Sequence, residues 1–121
     1  MILPDTSVWV DHFRVGLERL RLLIQQGNVM GHPWVIGELA LGHIRNREEI
    51  LSHLRTLPAA PSLAPDELLD FIESWKLPGL GIGWVDLHLL ASARLCGAEL
   101  WTRDKTLAQA ARKLGVAYAE G

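Results

Sequence analysis

Apolar residues recur at helical spacing over most of this chain, and short apolar runs bounded by turn residues separate the helical stretches. The opening run Met1-Ile2-Leu3-Pro4 predicts a strand that ends at Asp5, because Pro4 lacks the N–H a central strand needs. Thr6 and Ser7 then start a helix through Val8-Trp9-Val10. Leu17, Leu20, Leu23 and Ile24, with Glu18, Arg19 and Arg21 between them, predict an amphipathic helix stopped by Gly27-Asn28. Val29 to Gly31 is a short second strand, and Pro33 opens a helix that carries Trp34 to Leu41 and closes near Gly42. Asn46 caps a further helix reaching Leu54, with Glu48 and Glu49 where the helix dipole favours acids.

Leu57 to Pro61 reads as a weak third strand, broken by prolines. Pro65 to Trp75 is a helix with Leu68, Leu69, Ile72 and Trp75 as its apolar stripe, and Lys76 to Gly83 is a glycine-rich loop. A mostly apolar helix from Trp84 to Leu95 follows, then a strand from Ala98 to Trp101, a helix from Lys105 to Leu114 and a last strand from Val116 to Ala119. Alternation of this kind predicts an α/β fold, a mostly parallel central sheet flanked by helices, in one domain spanning 1–121.

Composition narrows the classes without naming one. The chain has 121 residues, 49% hydrophobic and 21% charged, enough for one sizeable core. A lone cysteine, Cys96, excludes an internal disulfide scaffold or a Cys-rich zinc fold, and fits a reducing cytoplasm. No signal-peptide pattern opens the chain and no apolar run approaches ~18 residues, so neither secretion nor a membrane span is expected. A net charge of −2 gives no global pull toward a polyanion. Its distribution says more: Asp66, Glu67, Asp70 and Glu73 crowd one segment, while most arginines lie elsewhere and can form a basic side.

In a parallel α/β sheet the strand ends and the starts of the following helices share one edge, where such folds place their ligands. Asp5 ends the first strand, and Asp104 opens the helix after the Ala98–Trp101 strand. Glu38 lies early in the helix begun at Pro33, and Asp86 in the first turn of the helix begun near Trp84. Each has an ordinary alternative: Asp5 and Asp104 as caps, Asp86 as a dipole partner, Glu38 in a salt bridge. Together, four carboxylates would repel one another, and a hard divalent cation such as Mg²⁺, or Mn²⁺ in its place, relieves that repulsion. A cation so held can activate water for attack on a phosphodiester. Thr6, Ser7 and Thr102 are then candidates to hydrogen-bond the carboxylates, and Arg103 and Lys105 to hold phosphates.

Four blocks in order carry a family likeness: Met1 to Trp9, His32-Pro33 to Gly37-Glu38-Leu39-Ala40, Gly81 to Asp86 with Leu89 to Ala93, and Trp101-Thr102-Arg103-Asp104. With these the chain resembles the PIN-domain ribonucleases, and among them the VapC-type toxins of bacterial toxin–antitoxin pairs. The resemblance implies a PIN-like three-layer fold and a Mg²⁺-dependent endoribonuclease with its acids at Asp5, Glu38, Asp86 and Asp104. It also implies a structured RNA substrate such as tRNA or ribosomal RNA, a homodimer, and a small antitoxin that silences the site. Pro4 departs from the small or β-branched residue expected before the first aspartate.

Other signals are weaker. Gly79 to Gly83 lacks the Lys-Ser/Thr pair of a phosphate loop, and the five histidines lack zinc-protease spacing, although His12 or His88 would assist catalysis if near the acids. Cys96 reads as a small core residue, and most of the five tryptophans as core. A phospho-aspartyl phosphatase wants an acid where Ser7 stands, and a receiver domain an acidic pair that is missing. The rival from another class is a catalytically silent PIN-like protein that binds RNA or an antitoxin without cutting, and the presence of all four acids argues against it.

Overall fold

The computed structural model describes residues 1–120. Two strands, β1 (Ile2–Pro4) and β2 (Glu99–Trp101), run parallel with Ile2 opposite Glu99, Leu3 opposite Leu100 and Pro4 opposite Trp101. The other three expected strands shrink to single parallel bridges, Ile2 with Val29, Gly31 with Ala59 and Leu100 with Ala117. Five chain segments therefore lie side by side, all parallel, with β1 at the centre.

Proline explains much of the shortening. Ile2 donates its N–H to Asn28 and accepts from Met30, each at 2.9 Å. The period-two pattern of a strand puts the nitrogen of Pro4 on that same side, where it has no hydrogen to continue the ladder. On the other side the ladder runs on, and the Asp5 N–H reaches the Trp101 carbonyl at 2.9 Å. Pro58 and Pro61 limit the Ala59 segment in the same way.

Seven helices pack around this sheet: α1 (Thr6–Val15), α2 (Glu18–Gln25), α3 (Pro33–Leu41), α4 (Arg47–Thr56), α5 (Pro65–Ser74), α6 (Trp84–Cys96) and α7 (Lys105–Lys113). Gly16, in the left-handed region at φ 73°, separates α1 from α2, and His12 fastens the corner by accepting the Leu17 N–H on Nδ1 at 2.9 Å. Helix α6 is the centrepiece, with every residue from Leu87 to Ala93 buried. A helix apolar on all sides must be enclosed, and α6 packs against β2, α3, α5 and α7. Each fully buried leucine, such as Leu89 and Leu90, contributes about 1.5–3 kcal/mol.

Three packing expectations fail. Leu69 is exposed, because the inward stripe of α5 is carried by Leu68 with Ile72 and Trp75 partly buried behind it. Cys96, on the last turn of α6, is exposed as well. Of the tryptophans only Trp9 and Trp101 are core, whereas Trp34 and Trp84 are 41% and 43% exposed.

Candidate active site

The parallel order brings the ends of β1 and β2 together, and with them the starts of α1 and α7. Asp5 follows β1 directly and caps α1, accepting the Val8 N–H on Oδ1 at 3.1 Å. Asp104 caps α7 in the same way, accepting the Leu107 N–H on Oδ2 at 2.8 Å. The capping reading of both residues is thus correct, and it is also what aims their carboxylates at the sheet edge.

Two hydroxyls stitch these ends together. Ser7 donates to Asp5 Oδ1 at 2.5 Å and accepts the Arg103 N–H at 3.3 Å. Thr102 donates to Asp5 Oδ2 and accepts the Asp104 N–H at 3.0 Å. Asp5 is 4% exposed, so burial pushes its carboxyl up from the usual range, while hydrogen bonds from Ser7, Thr102 and Val8 pull it back.

Glu38, on α3, accepts from the Thr6 hydroxyl at 2.6 Å. It is exposed beside Pro33, Trp34, Leu41 and Val85, and no cation pairs with it among the described residues. Helix α3 turns Val35 and Leu39 inward and leaves Glu38 on the outer face with Trp34 and Leu41. Asp86 is half-buried in the first turn of α6. Burial, followed by the charges of Asp5, Asp104 and Glu38, pushes its carboxyl up to about 6. The other three predicted acids thus all act on Asp86.

None of the four joins an ion pair among the described residues. Nor do any three His, Cys, Asp or Glu side chains among those residues stand close enough to hold an ion by themselves. Such a donor set would suit a hard divalent cation, of the kind that takes few carboxylates directly and keeps several waters.

Arg103 makes surface ion pairs with Asp11 at 3.1 Å and Glu120 at 3.0 Å, its own side chain 39% exposed. Lys105 is exposed at the start of α7. His12 is occupied at the α1–α2 corner, and His88 lies between Trp34 and Trp84, its Nδ1 2.8 Å from the Trp84 carbonyl.

A buried histidine that sequence reasoning passed over fixes the frame behind the acids. His32 caps α3, accepting the Trp34 N–H on Nδ1 at 3.1 Å, so the proton sits on Nε2 and is donated to Ser92 at 2.9 Å. Ser92 in turn donates to the Pro61 carbonyl at 2.5 Å. This chain links α3, which carries Glu38, to α6, which carries Asp86. Burial, with the charge of nearby His88 second, holds His32 down at about 4. The adjacency of His32 to Pro33 at a helix start was the available signal, but histidine is not among the usual capping residues.

Comparison with known proteins agrees with this architecture. The PIN domain family profile matches residues 2–113. The chain is 46% identical to Ribonuclease VapC32 of Mycobacterium tuberculosis, in two strains, over 99% of this chain and 98% of that protein. Its fold is similar to the crystal structure of PAE2754 from Pyrobaculum aerophilum, with a TM-score of 0.60 at 16% identity over 90% of this chain and 78% of that one. A full-length relative at this identity, with the matching fold and four acids at one sheet edge, makes this chain a member of the PIN-domain family, among its VapC-type ribonuclease toxins.

Proposed function

We propose that this chain is a Mg²⁺-dependent endoribonuclease, working as one PIN domain, whose acidic centre is Asp5, Glu38, Asp86 and Asp104. The observation that carries the reading is Asp86, half-buried amid three other carboxylates with no cation against it. Mg²⁺ suits such a centre because it keeps several waters and takes few direct carboxylates, and Mn²⁺ substitutes. When bound, the cation supplies a low-pKa water and neutralises charge that develops on the phosphoryl group.

The chain's own residues do the rest. Ser7 and Thr102 keep Asp5 ionised and fixed, and Thr6 orients Glu38. The cap on α7 holds Asp104 facing the same edge. The substrate in this reading is structured RNA such as tRNA or ribosomal RNA. The protein is a homodimer in the cytoplasm and the toxin of a toxin–antitoxin pair, silenced by an antitoxin. No helix among the described residues is long and apolar enough to cross a membrane, and no membrane partner enters the reading.

The test is cleavage of total cellular RNA by purified protein freed of any partner, in Mg²⁺, in Mn²⁺ and in EDTA, beside the Asp5→Asn variant. Discrete fragments that need both metal and Asp5 are expected. RNA binding without cleavage in either metal would replace this reading with the silent binding module, and equal cleavage by Asp5→Asn would overturn the acid assignment.

A further inference from the structure

The acidic centre opens on one side into a cleft of about 430 Å³ between α1 and the chain that leaves α3. Thr6, Val10, Phe13 and Arg14 fall on one face of α1 at helical spacing, so the hydroxyl that holds Glu38 and the guanidinium of Arg14 lie along the same wall. The opposite wall is the loop after Gly42, which contributes His43 and Arg45 before Asn46, at φ 56°, turns the chain into α4. The cleft is thus lined by a carboxylate, apolar side chains, a histidine and two guanidinium groups.

Little holds the two guanidinium groups of this cleft. Arg47 bonds the Ala40 carbonyl through two nitrogens, and Arg103 is shared by Asp11 and Glu120. Arg45 has no ion pair or hydrogen bond among the described residues. Arg14 meets only Asp11 at 3.3 Å, and with its side chain 72% exposed that pair contributes little. In a chain with a net charge of −2, free guanidinium groups beside a carboxylate centre are a local feature rather than a spillover of overall charge.

We propose that Arg14, His43 and Arg45 grip the phosphodiester backbone of the RNA strand next to the bond that is cut, while Val10 and Phe13 support its sugar or base. This inference rests on the ribonuclease reading. An anionic strand must approach four carboxylates, and arginines at the far end of the same cleft supply the bidentate phosphate contacts that hold it there. The three side chains are substrate-binding residues, and their role is to set affinity and register.

The experiment compares Asp5→Asn protein with the same protein carrying Arg14→Gln and Arg45→Gln. Binding of bulk tRNA and of a 12-nucleotide oligouridylate is read by fluorescence anisotropy in Mg²⁺ across a salt series. Both arginines are exposed, so the variant is expected to fold, and an Arg55→Gln/Arg112→Gln pair controls for loss of charge alone. The expected result is a roughly tenfold weaker Kd for the cleft variant, with the salt slope for oligouridylate reduced by about 1.4, the value for two lost single-strand phosphate contacts. An unchanged Kd and slope, while wild-type protein still cleaves total RNA, would overturn the proposal and leave the ribonuclease reading standing. Unchanged RNA binding with lost binding of a Glu-rich 12-residue peptide would give the cleft to an acidic protein segment instead. Absence of both binding and cleavage by any form would remove the ribonuclease reading and this inference with it.

Discussion

The hydroxyl of Thr102 donates to the carboxylate of Asp5 across 97 positions of sequence, and the same oxygen accepts the backbone N–H of Asp104. One side chain thereby couples two of the four acids. A hydrogen bond to a charged group contributes about 1.5–3 kcal/mol, enough to decide the ionisation of a carboxyl that burial already pushes up. Thr102→Val is therefore expected to lower kcat/KM at pH 7 roughly tenfold and to move the ascending limb of the pH–rate profile to higher pH. Thr102→Ser keeps the donor and should keep the wild-type limb. A Thr102→Val profile that falls uniformly without moving would show that the threonine acts only through packing.

Asp86→Asn should abolish cleavage and yet melt above the wild type in EDTA, because it removes one of four mutually repelling charges. Mg²⁺ should raise the melting temperature of the wild type and narrow or reverse the gap, since binding to the folded state stabilises it. Thermal unfolding with and without Mg²⁺ checks both halves, and a lower EDTA melting temperature for the variant would contradict the repulsion argument.

Acid titration carries two opposing contributions. His32 is held near 4 in the folded state against 6.5 when unfolded, so its contribution is complete above 6.5 and is lost as pH falls toward 4. Asp86 is raised to about 6 from 3.8, so its penalty is complete above about 6 and disappears as pH falls toward 3.8. Between 4 and 6 the two offset one another. Asp86→Asn removes one side, and its urea midpoint should fall more steeply than that of the wild type from pH 6.5 to 4.5.

Ser92→Ala leaves the His32 Nε2 hydrogen and the Pro61 carbonyl without their shared partner in a fully buried position. A loss of about 1–3 kcal/mol is expected from denaturant unfolding. Because the bridge joins α3 to α6, the variant should also bind Mg²⁺ more weakly by calorimetry, even though Ser92 touches none of the acids.

The capping role of Asp104 predicts a separation of effects. Asn caps about as well as Asp, so Asp104→Asn should cost little stability, while Asp104→Ala should lose about 1 kcal/mol. Both should lose most cleavage activity, measured on the RNA identified with the wild type.

Much of this was legible from residue order, and the reasons are local. Helix starts announced themselves through Pro33, Pro65 and the capping aspartates, and one rule about parallel sheets then gathered Asp5, Glu38, Asp86 and Asp104 at one edge. The three outlying strands were overread: they make only isolated bridges, and around Ala59 the cause is Pro58 and Pro61, which lack the donors pairing needs. The ion pairs of Arg103 could not be read in advance because its partners, Asp11 and Glu120, are distant along the chain. The His32–Ser92–Pro61 chain was invisible for the same reason, its contacts spanning 60 and 31 positions.

The enclosed run of α6 sets a clock for the site. Amides from Leu87 to Ala93 can meet solvent only when the whole core opens, whereas short strands and helix ends open locally at far smaller cost. Asp86 directly precedes this run, while Asp5 and Asp104 sit at junctions between elements and Glu38 lies past the middle of a nine-residue helix. Of the four carboxylates, Asp86 is consequently the one joined directly to the part of the fold that opens last.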